Sequence, residues 1–276
     1  MTLPVRAPLA CLLLPLGLVA GGCELMIAGP REQVSDRWER TYTVNPTATL
    51  EIDNTNGGIT VRSHASPTIT VTAHRTARAV SQQGARELLD RLRLEDTASA
   101  DLVRLVMPRN QGLSMGQQVE VRYDVLVPST LTLSLTTVNG QVDVQDVAGR
   151  VALETVNGSI AGRALGGLHK AETVNGSVKL ALSSLPSQGA TIETVNGGVS
   201  VTLPASQRAD LSVRTVNGGI DVDRFASVDR TERKRRHYEG RLNGGGPTLR
   251  VETVNGGVSV IGEATATPEA TASGSQ

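Results

Sequence analysis

Apolar and polar residues alternate with a period of two along most of the chain, which predicts β-strands separated by turns. In the C-terminal half, the tetrapeptide Thr-Val-Asn-Gly interrupts this alternation six times. Successive tetrapeptides are 18, 18, 21, 21 and 38 residues apart, and a period near 20 is typical of a repeat architecture. The predicted repeat turns, with a degenerate upstream copy first, are Asn56 and Gly57, Asn139 and Gly140, Asn157 and Gly158, Asn175 and Gly176, Asn196 and Gly197, Asn217 and Gly218, and Asn255 and Gly256.

The apolar positions change parity at each Asn-Gly, as between Leu249 and Val251 before the last turn and Val258 and Val260 after it. One face therefore stays buried through the turn, and Asn-Gly suits a turn because both residues tolerate positive φ. Two all-β folds fit: a β-solenoid with coils of 18–21 residues, or stacked hairpins in a β-meander. Thr-Val precedes every Asn-Gly, and stacked coils place like residues in register about 4.8 Å apart, which favours the solenoid.

A smaller β-module with one helix is predicted over residues 45–128, ahead of the repeats at 129–262. The helix is expected over about residues 81–92, where Ser81 could cap it and Leu88, Leu89 and Leu92 form an apolar stripe. It could lie on a membrane or pack on the sheet. The narrow stripe has no aromatic anchor, so packing is favoured.

The N-terminus has an apolar run from Leu9 to Ala20, followed by Gly21, Gly22 and Cys23. This pattern predicts a signal peptide over residues 1–22 and resembles a bacterial lipobox, at which Cys23 would be lipidated. The alternative is ordinary signal cleavage nearby. Residues 23–44 show little periodicity and are predicted to be a tether, and residues 263–276 are too poor in apolar side chains to order themselves.

Basic and acidic side chains balance at 27 each, which argues against general attraction to nucleic acid. The 38-residue interval, about two coils long, contains a basic insertion at 224–247. Its cations could contact anionic lipid or another anion, or could simply be an exposed excursion. They are Arg230, Arg233, Lys234, Arg235 and Arg236.

The pattern of polar residues predicts no catalytic, metal or cofactor site. The residue before Thr-Val is glutamate in four repeats, at Glu154, Glu172, Glu193 and Glu252. Stacked coils would place these in a column, which could attract cations or basic peptides or could be a solvated strand face. The four histidines lack metal-ligand spacing, and no clustered acid and base of a polysaccharide-active enzyme is evident.

The Thr-Val-Asn-Gly turns, the strand end at Val125 to Pro128, the helix followed by two strands and the return at Gly244 to Pro247 resemble the bacterial "putative adhesin" family of β-repeat envelope proteins. The resemblance spans about residues 45–262. It implies an all-β repeat domain outside the cytoplasm, with a link to envelope-stress signalling in some members. It supplies no catalytic residue.

These observations predict a lipid-anchored, non-catalytic envelope protein whose repeats act as an adhesin-like display scaffold. Expected partners are the membrane, through the lipid anchor, and an envelope protein or glycan. In a cell with two membranes, Glu24 after the cysteine points to the outer one. The alternative function is an envelope-stress sensor that binds cationic peptides or membrane components, and a polysaccharide-active enzyme is the third.

Overall fold

The computed structural model describes residues 32–107, 113–114 and 116–263. Cys23, the predicted signal peptide and residues 264–276 of the predicted tail lie outside these ranges. The first half of the described chain is mostly strand with one helix. Its elements are β1 (Glu32–Thr43), β2 (Thr49–Asp53), β3 (Ile59–His64), β4 (Thr68–Ala79), α1 (Gln82–Arg91), β5 (Glu95–Ala98), β6 (Leu102–Val106) and β7 (Gln118–Pro128).

The second half is made of strand pairs joined at the Asn-Gly corners, plus one hairpin. Its strands are β8 (Thr132–Asn139), β9 (Val142–Gln145), β10 (Arg150–Asn157), β11 (Ile160–Leu165), β12 (Gly167–Asn175), β13 (Val178–Leu182), β14 (Ala190–Asn196), β15 (Val199–Pro204), β16 (Ala209–Asn217), β17 (Ile220–Asp223), β18 (Val228–Lys234), β19 (His237–Leu242), β20 (Thr248–Asn255) and β21 (Val258–Glu263).

The repeats form a β-solenoid. Each Asn-Gly joins a strand of one sheet to a strand of the other, and equivalent strands of neighbouring coils pair in parallel. On β10 and β12, for example, Thr155 lies opposite Thr173 and Asn157 opposite Asn175. The solenoid prediction is therefore confirmed. The stacked-hairpin alternative is wrong, because it would have paired the two strands that flank each Asn-Gly.

Two long sheets enclose one core. The first sheet has the strand order β1-β4-β7-β3-β9-β11-β13-β15-β21-β17, and the second has β18-β19-β16-β20-β14-β12-β10-β8-β2-β6-β5. Inward valine, leucine and isoleucine side chains from both sheets pack into a single cluster that runs through the module and the repeats. Strands β2 and β3 pair with β8 and β9, so the degenerate copy at Asn56 forms a coil of the same type.

The corner glycines are required because the coils stack closely. The predicted reason was instead their tolerance of positive φ. Among the corner residues, only Gly57 has a positive φ, at 117°. In the six Thr-Val-Asn-Gly copies, a Cβ on the glycine would lie only 1.9–2.1 Å from the carbonyl oxygen of the corner glycine in the adjacent coil. No side chain fits there, so the spacing between coils selects glycine.

Residues 32–43 of the predicted tether form strand β1, which pairs antiparallel with β4 along its whole length. Most of β1 is exposed because it is the edge strand of the first sheet. Val34, Trp38 and Tyr42 pack against the core. These apolar residues recur at every fourth position, so the chain shows no simple alternation that would have revealed a strand.

The helix α1 packs on the sheet. The Ser81 side chain caps it by accepting a hydrogen bond from the backbone N–H of Gly84 at 3.1 Å. Ala85, Leu88 and Leu89 are buried against strands β4 and β1. Within the described ranges, no helix has the length and apolar character needed to cross a bilayer.

The stacking order of the coils departs from chain order at the C-terminus. The long interval after Asn217 forms the hairpin β18–β19, which lies antiparallel beside β16, rather than two further coils. The chain then crosses to the other side of β16, and the last coil, β20 and β21, enters between the fourth coil (β14 and β15) and the fifth (β16 and β17).

Candidate functional site

The valine of every Thr-Val-Asn-Gly repeat faces outward from the second sheet. Strand parity causes this, because the preceding threonine faces the core and is buried. Parallel register then places the six valines in one row, which we call the valine row. In stacking order it contains Val138, Val156, Val174, Val195, Val254 and Val216. The last five are 38–51% exposed.

A second outward row runs parallel to the valine row, two residues earlier on each strand. It contains Thr136, Glu154, Glu172, Glu193, Glu252 and Arg214. The two rows line a shallow groove of about 860 Å³ along the second sheet, and Arg236 and His237 from the β18–β19 turn also line it. We call it the valine groove.

Three of the four glutamates in the groove bond to a neighbouring cation. Lys170 Nζ lies 2.8 Å from Glu154 Oε1 and 2.9 Å from Glu172 Oε1, and these hydrogen bonds raise the pKa of the lysine. Arg250 Nη2 lies 2.6 Å from Glu252 Oε1. The glutamates therefore form an ion-paired strand face, as the solvated-face interpretation expects, and the distinctive feature of the groove is its apolar row.

The predicted turn residues lie together along the corner that borders the groove. From Asn139 onward, each asparagine side-chain amide donates to the Oδ1 of the asparagine before it in the stack, at 2.8–2.9 Å, in an unbroken ladder. The stacking order is Asn56, Asn139, Asn157, Asn175, Asn196, Asn255 and Asn217. Each buried repeat threonine donates its hydroxyl to the carbonyl of the corner glycine in the adjacent coil, at 2.9–3.1 Å. The ladder fixes the coils in register and so keeps the valine row straight.

The predicted basic residues lie on the β18–β19 hairpin but do not all share one role. Arg230 and Arg235 are exposed, and Arg236 lines the end of the valine groove. Lys234 forms an ion pair with Glu232. The side chain of Arg233 lies outside the described part of the structure. Contact between this hairpin and an anion stays a prediction.

The same hairpin brings together the one group of possible metal ligands found among the described residues, Glu232, His237 and Glu239. His237 Nε2 lies 3.2 Å from Glu239 Oε1 and 3.7 Å from Glu232 Oε2. The spacing of the histidines along the sequence did not reveal this group, because the cross-strand register creates it. Lys234 already serves as a cation for Glu232 and holds the pKa of that carboxyl below its usual range.

Sequence reasoning also missed the valine groove, although a signal was present. Side chains alternate between the two faces of a strand. Since Val251 and Thr253 belong to the core face, Val254 must face outward, and the same holds in every repeat. An outward residue that is valine in all six copies contrasts with the solvated side chains usual at such positions. Because the prediction emphasised the glutamates, the valines received no role.

The Thr-Val-Asn-Gly coils define a β-solenoid repeat domain with an outward apolar groove. Residues 129–261 match the family model described as Toastrack DUF4097, in agreement with the predicted family resemblance. No curated protein matches the chain.

Solved structures of bacterial proteins are similar to the described chain. One is described as a putative cell adhesion protein from Clostridium sporogenes, with 11% identity over 83% of this chain and 100% of that chain, and a TM-score of 0.45. Another is a putative adhesin from Bacteroides fragilis, with 9% identity over 83% of this chain and 97% of that chain, and a TM-score of 0.31.

Proposed function

We propose that the protein is an exported, lipid-anchored, non-catalytic scaffold of the bacterial envelope that binds a partner along the valine groove. The valine row carries this proposal. Single exposed apolar residues are normal on protein surfaces, whereas a contiguous apolar patch marks an interaction site. Here the Asn ladder along the border of the groove holds the valines in register, so the binding surface is preorganised.

An extended protein segment with apolar side chains suits this groove best. The groove is long and shallow, and its apolar side chains repeat at the spacing of strands, about 4.8 Å. No tyrosine, tryptophan or phenylalanine lines it, whereas aromatic faces usually contribute strongly to sugar binding. Lys170 and Arg250 bond to three of the four glutamates, and Arg214 and Arg236 also line the groove, so a cationic peptide meets no net negative surface, which argues against the sensor alternative.

The state of the carboxylates supports a binding role over catalysis. A glycoside hydrolase needs one carboxyl that stays protonated and a second one at a fixed distance across the substrate. Glu154, Glu172 and Glu252 are instead partly exposed and bonded to cations. Ion-paired carboxylates of this kind suit a supporting surface.

The proposed anchor would hold the domain close to the bilayer. Strand β1 begins at Glu32, only nine positions after the proposed lipidated Cys23. Fully extended, nine residues span at most about 30 Å. The tether is therefore much shorter than the predicted range of 23–44, and partners would be other envelope components within that reach.

The test is site-specific photocrosslinking of the full-length protein in its native membrane. A photoreactive residue replaces Val195 in the groove, and a matched variant carries it at Ser200, which faces outward from the first sheet. We expect a discrete crosslinked protein with the Val195 probe and little with the Ser200 probe. Equal labelling at both positions would contradict a groove-specific partner.

The anchor is tested separately with Cys23→Ala. We expect the wild-type chain in the membrane fraction and the variant released from it. A wild-type chain that is fully soluble would refute the anchor while leaving the groove proposal open to the crosslinking result. A partner lost in Cys23→Ala would show that membrane attachment brings the groove and its partner together.

A further inference from the structure

The last coil occupies a slot between two coils that are consecutive in the chain. Strand β20 lies between β14 and β16, and β21 lies between β15 and β17. The fourth and fifth coils are joined directly through residues 205–208, yet another segment separates them in space. The two coils that form the walls of this slot therefore both precede, in the sequence, the segment that fills it.

The slot holds this coil with the contacts used at every other coil interface. On one side, Thr253 Oγ1 donates to Gly197 O at 3.1 Å and Asn255 Nδ2 to Asn196 Oδ1 at 2.8 Å. On the other side, the fifth coil makes the same two bonds toward the last coil, through Thr215 and Asn217. None of these contacts depends on the connection that leads into the slot.

That connection is a tight loop. Asn243, Gly244 and Gly245 all have positive φ, at 51°, 85° and 83°. Asn243 Nδ2 donates to the carbonyl oxygens of Ala205 and Gln207 at 2.9 and 2.8 Å, which holds the loop against the start of the fifth coil. A short hinge loop that precedes an exchangeable element can open and let that element enter a second copy.

We propose that two copies of this chain exchange their last coils, so that residues 248–263 of each copy fill the slot of the other. The closed monomer and the exchanged dimer contain the same coil interfaces and differ mainly in the loop from Asn243 to Pro247. Their balance therefore depends on loop strain and protein concentration. Confinement at a membrane raises the effective concentration of neighbouring copies and favours the dimer.

The experiment uses two differently tagged preparations of the full chain, both carrying Cys11→Ala and Cys23→Ala so that the introduced cysteines are the only thiols. One carries Val195→Cys and the other Val254→Cys. These outward positions are neighbours on β14 and β20, within reach of a disulfide. A disulfide between differently tagged chains therefore reports that the coil of one copy lies in the slot of the other. After mixing in mild denaturant, dilution and oxidation, we expect a disulfide-linked heterodimer whose yield rises with protein concentration.

Two controls make the result decisive. Val138→Cys replaces Val195→Cys in a matched pair, because β8 lies away from the slot and random collision would link it equally well. A single chain carrying both Val195→Cys and Val254→Cys must form the internal disulfide, which shows that the variants fold. A heterodimer yield no higher than that of the Val138→Cys pair would overturn the exchange.

The loop is tested with Gly245→Ala in the same assay. Its φ of 83° is unfavourable for alanine, and the added Cβ would lie 2.7 Å from Asp210 Oδ1. We expect the heterodimer yield to rise, because the closed loop becomes strained while the Thr253 and Asn255 contacts of the coil are unchanged. An unchanged or lower heterodimer yield would show that the loop does not set the equilibrium between the closed monomer and the exchanged dimer.

Discussion

The N-terminal module and the Thr-Val-Asn-Gly array share one core but are held together differently. In the array, every interface between coils repeats the same threonine, asparagine and glycine contacts, and backbone approaches backbone with no room for a Cβ. In the module, antiparallel strands and a helix pack unlike side chains, such as Leu89 and Tyr123, into an irregular interior. Stability thus depends on backbone spacing in one region and on side-chain fit in the other.

This difference determines where each region tolerates change. The outward valines of the array can vary without disturbing its interior, because its register rests on the corner residues. Among the described residues of the module, this corner contact occurs once, at Asn56 and Gly57, so its apolar residues individually matter more. The array can therefore present a variable surface on an invariant frame, which suits a display scaffold.

The largest effect is expected for Gly176→Ala in the array. The new Cβ would lie 2.0 Å from Gly158 O, and no flexible side chain can move aside. We expect a loss of unfolding free energy above about 4 kcal/mol, or failure to fold, in urea titrations. Gly219→Ala is the matched control, because its Cβ would meet nothing within 4 Å. If the two variants are equally stable, close stacking does not explain the corner glycines.

The corresponding change in the module is Leu89→Ala. This helix residue is 4% exposed and packs into the core, so its truncation leaves a cavity. We expect a cost of about 3 kcal/mol by thermal or urea unfolding. Val80→Ala, just before the helix at a position 80% exposed, should change stability by less than about 0.5 kcal/mol. Equal effects would mean that α1 contributes little to the module.

The Asn ladder is expected to give a smaller, position-dependent effect. Asn175 donates to Asn157 and accepts from Asn196, whereas Asn217 at the end of the stack only donates, to Asn255. Asn175→Ala should therefore cost about 1–2 kcal/mol and Asn217→Ala about half of that. Urea midpoints with unchanged m-values would measure both. A larger cost at Asn217 would show that the ladder bonds are not what stabilises the corner.

Much of the array could be predicted from sequence because each repeat carries its own constraints. The recurrence of Thr-Val-Asn-Gly predicted parallel coils, and Ser81 with the leucine stripe predicted the packed helix. The predicted reason for the corner glycines, positive φ, was wrong. The constraint is the clash that a Cβ would make with the adjacent coil, and the local sequence of one coil does not reveal it. Local signals describe one coil well and the contact between two coils poorly.

The order of the coils could not be predicted for a related reason. All six copies present the same threonine, asparagine and glycine at their edges, so no residue pattern tells the fourth coil whether its neighbour is the fifth or the last. The loop from Asn243 to Pro247 and the hairpin β18–β19 decide this order. The valine groove is a different case: parity and the predicted stacking already placed the valines outward in a row, and the interpretation stopped at the glutamates beside them.

The smallest effect, and one specific to the module, is expected from Tyr123→Phe. Tyr123 is fully buried, its hydroxyl has no hydrogen-bond partner among the described atoms, and burial raises its pKa. Since the folded-state pKa lies above the ordinary value near 10, its contribution to stability is complete below pH 10 and is lost as the unfolded chain ionises at higher pH. Removing an unpaired hydroxyl should change stability at pH 7 by less than about 1 kcal/mol.

The measurement is the urea midpoint of wild type and Tyr123→Phe at pH 8 and pH 11. We expect the wild type to lose more stability between the two values, with the remaining loss in the variant due partly to Tyr42, whose pKa is also raised by burial and by its hydrogen bond to Asp96. Identical losses would show that the Tyr123 hydroxyl is solvated in the folded state. Tyr123 lies in the module on β7, and Tyr42 lies on β1, which pairs with β4 of the module. Alkali should therefore weaken this region before the array, whose corners rest on groups that do not titrate there.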